Sequence, residues 1–157
     1  MASRFPVVRQ TAWLSLVPQI LVMVLLAFIF YPVNDRHFLW MAAAVYITLG
    51  LTLRTTIPSN HRKGLYFARK QKYEEALECF QESIRFFRAR PWIDKYRYLV
   101  LLSSSRISYL EMDLINEAFC LSQTGKKKET IQKYEEVLKE FPDSQIAKLA
   151  LKSLKEE

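Results

Sequence analysis

The side chains here whose types and spacing could do chemistry are few. They are two histidines, two cysteines, the pairs Glu74-Glu75 and Glu135-Glu136, the run Ser103–Ser105 and the run Lys126–Lys128. His37 falls in a polar link between two apolar runs, and His61 at the start of a helix-forming stretch. Neither has an acid or nucleophile at a spacing that local structure would bring together, so both read as interfacial or solvated side chains, not metal ligands or bases. Cys79 and Cys120 have no CxxC or Cys/His spacing and sit inside helical stretches, where a small half-buried thiol is the plain reading. The glutamate pairs fall on the outer face of amphipathic segments, which is solvated surface. Ser103–Ser105 reads as a packed or solvated run, and Lys126–Lys128 as solvation of a helix start. Three glycines, no two of them close, exclude a phosphate-cradling loop. No catalytic, metal-binding or cofactor-binding residue is expected, and the chain does not read as an enzyme.

The elements that would position any site divide sharply. Before residue 57 the only charges are Arg4, Arg9, Asp35, Arg36 and Arg54, whereas the rest is rich in Lys, Arg and Glu. The net charge of +7 is spread over both parts, and neither is basic enough for nucleic acid. Residues 11–33 carry no charge, with Trp13 and Tyr31 toward the two ends, and predict a membrane span too long for a signal-peptide core. Residues 38–55 predict a second span, so residues 1–57 read as a transmembrane hairpin. Ala42, Ala43, Ala44 and Gly50 offer small surfaces for close helix packing in the membrane. Arg4 and Arg9 precede the hairpin and Arg54, Arg62, Lys63, Arg69, Lys70 and Lys72 follow it. Both termini are therefore expected in the cytoplasm, a bacterial inner membrane being the simplest setting.

Residues 58–157 carry a helical period. Tyr73, Ala76, Leu77, Phe80, Ile84 and Phe87 share one face of a segment that ends near Pro91, preceded by the shorter stripe Gly64, Phe67, Ala68. Small residues let two antiparallel helices approach, and aromatics fill the space between them. A second copy follows, with Leu114, Ala118, Gly125, Tyr134 and Val137 at the matching positions. Gln71 and Thr130 depart from the turn glycine and the alanine of the pattern. These motifs resemble tetratricopeptide repeats over about three-fifths of the chain, from Ile57 onward.

The resemblance implies an all-α fold, with repeats over 57–90 and 111–142 and an end helix over 144–156. Pro91–Leu110 exceeds the family's repeat length and is read as one elongated helix reaching from Trp92 to Gln123, the alternative being a break at Ser103–Ser105. The family's peptide groove implies Leu65, Met112, Ile115 and Phe119 as partner contacts, against the reading that they pack within the chain. The Lys and Asn set that grips C-terminal carboxylates is missing, which favours an apolar helical ligand. Two repeats are few for a stable array, so a partner subunit or a second copy of this chain is expected to cover them. The expected function is a membrane-anchored adaptor or accessory subunit of a membrane complex, in contact with protein partners and lipid. The alternative is a purely structural subunit of a multisubunit membrane enzyme or energy-transducing complex, held by its hairpin.

Overall fold

The structure, a computed structural model, describes residues 12–156. Arg4 and Arg9, half of the topological expectation, lie outside the described residues. Among those described, the fold is all-helical: α1 (Leu16–Phe30), α2 (Phe38–Thr56), α3 (Ser59–Arg69), α4 (Tyr73–Ala89), α5 (Pro91–Lys95), α6 (Arg97–Val100), α7 (Tyr109–Gln123), α8 (Lys127–Glu140) and α9 (Gln145–Glu156). They form two compact units. One holds α1 and α2 through Pro58 together with Trp92–Arg106; the other holds Ser59–Pro91 and the chain from Ile107.

In the first unit α1 and α2 pack on each other as an antiparallel pair. Tyr31 and Phe38 meet edge to face at 5.4 Å at the loop end. There the Asn34 side chain accepts from the Arg36 and His37 amides, each at 3.1 Å, which fixes the turn. α2 has 19 residues and is the one described helix long and apolar enough, by length and composition, to cross a membrane. The first apolar run is a correction to the expected span over 11–33: its α-helix has only 15 residues, after a 3-10 turn at Trp13–Ser15. Tyr31 still has helical angles and donates to Ala27 O at 2.9 Å, but Pro32 has no amide to donate to the Phe28 carbonyl, so the ladder stops there. Pro18, in the first turn, is tolerated because the amide it lacks has no intrahelical acceptor there.

The elongated helix from 92 to 123 does not exist; the chain breaks after Val100. Leu102 takes a left-handed φ of 47°. Arg97 holds the reversal, donating to the carbonyls of Asp94 at 2.9 Å, Ser105 at 3.1 Å and Arg106 at 2.7 Å. A side chain that satisfies three backbone oxygens lets the ladder stop without leaving buried acceptors. α7 then starts afresh at Ser108, whose hydroxyl accepts from the Glu111 amide at 3.1 Å.

The second unit repeats one helix–turn–helix with an offset of 54 residues. In the α3–α4 turn, Lys72 N donates to Phe67 O at 3.0 Å and Gln71 has φ 60°; in the α7–α8 turn, Lys126 N donates to Leu121 O at 3.1 Å and Gly125 has φ 77°. Each of these residues is 54 positions from its counterpart, so the two turns share one backbone design. Gln71 bears the left-handed cost of about 1–2 kcal/mol that Gly125 avoids. Phe80 and Tyr134 are likewise equivalent, and both are buried. One apolar cluster joins Ala68, Ala76, Phe80 and Cys120. The other joins Leu114, Ala118, Tyr134 and Val137, and α9 closes it with Ala147 and Leu151.

Gly64 sets the spacing of the first pair. A Cβ there would lie 2.6 Å from the Phe80 ring, which is itself fully buried. Gly64→Ala should therefore destabilise the protein by about 1–3 kcal/mol through overpacking, against the small helical gain alanine ordinarily brings. Denaturant unfolding of the detergent-solubilised chain, followed by circular dichroism, measures this. Gly64→Ala combined with Phe80→Leu should recover part of the loss.

Candidate functional site

The first helices of the two pairs, α3 and α7, carry the residues expected to meet a partner. Leu65 on α3 and Phe119 on α7 are brought together, half-buried around the Ala68–Ala76–Phe80–Cys120 cluster. Phe119 also meets the Tyr73 ring edge to face at 6.2 Å. Met112 is half-buried on α7. Ile115 is 5% exposed and belongs to the core cluster with Leu114 and Tyr134. Leu65, Phe119 and Met112 thus keep part of their surface outward, while Ile115 is spent on packing within the chain.

His61 is the largest departure from expectation. Instead of being solvated it is buried, and its Nδ1 lies 2.5 Å from Oδ1 of Asp113, which is 0% exposed. Tyr109 meets the imidazole edge to face at 5.2 Å, and the Phe87 ring stacks on Tyr109 at 5.2 Å. The pair ties α3 to α7 in a setting where polar groups must be matched. The pair has the geometry of an acid-oriented histidine, with the His61 side chain 8% exposed and that of Asp113 0%, and it clasps the two helices together. Sequence reading could not find it, because its members are 52 residues apart.

Glu74 and Glu75 are exposed, as expected, with Glu75 paired to Lys72 one turn away at 3.1 Å, whereas other glutamates cross-link helices. Glu117, with its side chain 6% exposed, accepts from Gln81 at 3.0 Å and pairs with Lys133 at 3.2 Å, joining α7 to α4 and α8. Arg88 of α4 pairs with Glu136 at 2.9 Å and Glu140 at 3.1 Å on α8. Partial burial opposes ionisation of Glu136, yet hydrogen bonds from Lys133 and Arg88 hold its carboxyl below the usual range. Burial pushes the Cys120 thiol up to about 12, so at neutral pH it is a packed, unreactive group. Among the described residues no group of three His, Cys, Asp or Glu side chains is placed to hold a metal ion.

In the first unit the small residues of α2 behave unequally. Ala42 and Gly50 are buried, Ala43 is half-buried and Ala44 is exposed. Gly50 lies where a Cβ would sit 3.6 Å from the Leu102 side chain. Ala42 and Gly50 therefore serve packing inside the unit, and Ala44 faces outward.

Removing His61 tests the clasp. His61→Leu should cost about 3 kcal/mol, because it strips a hydrogen-bond partner from a fully buried carboxyl group. The double substitution His61→Leu/Asp113→Leu should cost much less, and chemical denaturation of both variants decides between them. Compared with known proteins, the chain matches no family model, no curated protein and no solved structure.

Proposed function

We propose that the chain is a membrane-anchored adaptor or accessory subunit, with α1 and α2 embedded as a hairpin and a tetratricopeptide-like unit that holds another protein. The observation that carries this reading is the contrast between the units. On α1 and α2 large aliphatic and aromatic side chains point outward, among them Leu21, Val24, Phe28, Trp40, Ile47 and Leu51. Water disfavours such a surface and lipid does not. The hydroxyls of Thr48, Thr52, Thr55 and Thr56 each donate to the carbonyl one turn back, at 2.7–2.8 Å, and so need no water. α1 covers only about 22 Å against a hydrocarbon layer of about 30 Å, a mismatch that local thinning and the flanking Trp13 and Tyr31 accommodate.

The other unit supports binding over catalysis. Its buried polar groups are used as cross-links, and its two helical pairs share the turn geometry and the small-against-aromatic packing that resemble the repeat family. The partner surface is the outward part of Leu65, Met112 and Phe119. With Ile115 packed inside, a short apolar contact fits better than a deep groove. A partner with an amphipathic helix suits it.

A second reading, a purely structural subunit of a membrane complex, draws support from the same outward aliphatic faces of α1 and α2, which could pack on other membrane helices as well as on lipid. The test is purification from the native membrane in mild detergent, with the ratio of co-purifying chains measured. For an adaptor, Phe119→Asp, checked to remain helical, should lower partner recovery at least about tenfold, equivalent to about 1.4 kcal/mol, without releasing the chain from the membrane. A fixed set of subunits at unit ratio, indifferent to that substitution, would favour the structural reading. Recovery of the chain alone would refute both.

A further inference from the structure

The segment between the two helical pairs, which the repeat pattern does not absorb, closes one end of the hairpin. Arg54, at the end of α2, donates to the carbonyl oxygens of Leu101 and Leu102. Gln19, in the second turn of α1, donates to Leu102 O at 3.1 Å, and the Ala12 amide to Ser104 O at 2.9 Å. Leu101, Leu102 and Ser103 are buried, and α6 packs against α1. These contacts lie where α1 begins and α2 ends, opposite the Asn34 turn. A hairpin in lipid brings that end to a membrane face.

The outer side of the segment has a matching composition. Tyr96, with φ −100° and ψ 25°, is the junction of the two short helices: its amide donates back to Trp92 O at 3.0 Å and its carbonyl accepts from Val100 N at 2.9 Å. Trp92, Tyr96 and Leu99, at i, i+4 and i+7, are each more than half exposed, whereas Ile93 and Asp94 on the other side are buried. Lys95 holds its ammonium 5.6 Å from the Tyr96 ring, and Arg106 is exposed. With Asp94 turned inward, the outward charges of this surface are cationic. An aromatic and aliphatic stripe flanked by cations, on a helix too short to span, is what an interfacial helix presents to anionic lipid.

We propose that α5 and α6 lie in the membrane surface, with Trp92, Tyr96 and Leu99 inserted at the boundary of headgroups and acyl chains and Lys95 and Arg106 against anionic headgroups. The inference rests on the membrane reading of α1 and α2. Lipid is the occupant because Gln19, Arg54 and Ala12 tie this segment to the end of α1 and α2, where a hairpin in lipid meets the headgroups, and because its outward charges are cationic.

The chain has three tryptophans, which makes the test direct. Full-length protein is reconstituted in vesicles of phosphatidylcholine and phosphatidylglycerol, in about a 7:3 ratio. The lipid is brominated either near the headgroup or near the chain end. Trp13→Phe/Trp40→Phe leaves Trp92 as reporter, and Trp13→Phe/Trp92→Phe leaves Trp40, in the first turn of α2, to report on the hairpin. Trp92 emission should be blue-shifted and quenched at least about twofold more by the shallow bromines than by the deep ones. Adding Tyr96→Glu/Leu99→Glu should abolish that quenching and leave the Trp40 signal unchanged. Quenching of Trp40 without quenching of Trp92 overturns the proposal and leaves the membrane reading standing; a blue, unquenched Trp92 then means a second copy or another protein covers the stripe, and a red one means water. If neither tryptophan is quenched, both the proposal and the reading beneath it fall.

Discussion

The outward apolar surface of α1 and α2 sets the terms for the rest of the molecule. Burying a leucine, isoleucine or phenylalanine side chain is worth about 1.5–3 kcal/mol, and many such residues on these two helices point away from their own unit. A chain with a stability of about 5–15 kcal/mol cannot leave that surface in water without association. The polar groups at both ends of the pair are arranged to match. Asn34 ties off one turn, and Arg54 and Gln19 satisfy the carbonyls of the Leu101–Leu102 reversal at the other. Threonine hydroxyls along α2 turn back on their own helix. The backbone and its polar side chains make few demands on solvent over the apolar length, which is the condition a bilayer imposes.

The repeated unit meets a different constraint, that two helical pairs are few for a self-sufficient array. Its answer is polar as well as apolar. The His61–Asp113 clasp joins α3 to α7, Glu117 joins α7 to both α4 and α8, and Arg88 spans α4 to α8. α9 seals the second cluster. Ile115 is drawn into that core, while Leu65, Met112 and Phe119 on α3 and α7 stay half-buried.

Local pattern made the helical pairs legible, and distance hid what joins them. Period 3.6 and the small-against-aromatic spacing located α3, α4, α7 and α8, and Gly64 against Phe80 is the close approach that pattern implies. The second apolar run was read nearly to its ends, because a long uncharged stretch bounded by Asn34 and Pro58 has few other solutions. Pro32 was the unread sign that α1 stops at Phe30. The false long helix came from the lack of Gly and internal Pro between Trp92 and Leu110. The break is made instead by Arg97 collecting carbonyls, and Ser108 with Glu111 three residues on was a capping signal within reach. His61–Asp113 carried no local signal at all. Of the residues expected to meet a partner, Leu65 and Phe119 both lie half-buried around one apolar cluster, while Ile115 is hidden by the packing of α8 and α9, which residue spacing does not reveal.

Side-specific labelling tests the membrane hairpin most directly. Cysteines introduced singly as Asp35→Cys in the α1–α2 turn and Lys127→Cys at the start of α8 are reacted with an impermeant maleimide in intact and inverted membranes. The proposed arrangement predicts that the two positions react from opposite faces, with Lys127→Cys on the cytoplasmic side. Reaction of both from the same face, or release of the chain from membranes at high pH, would contradict it.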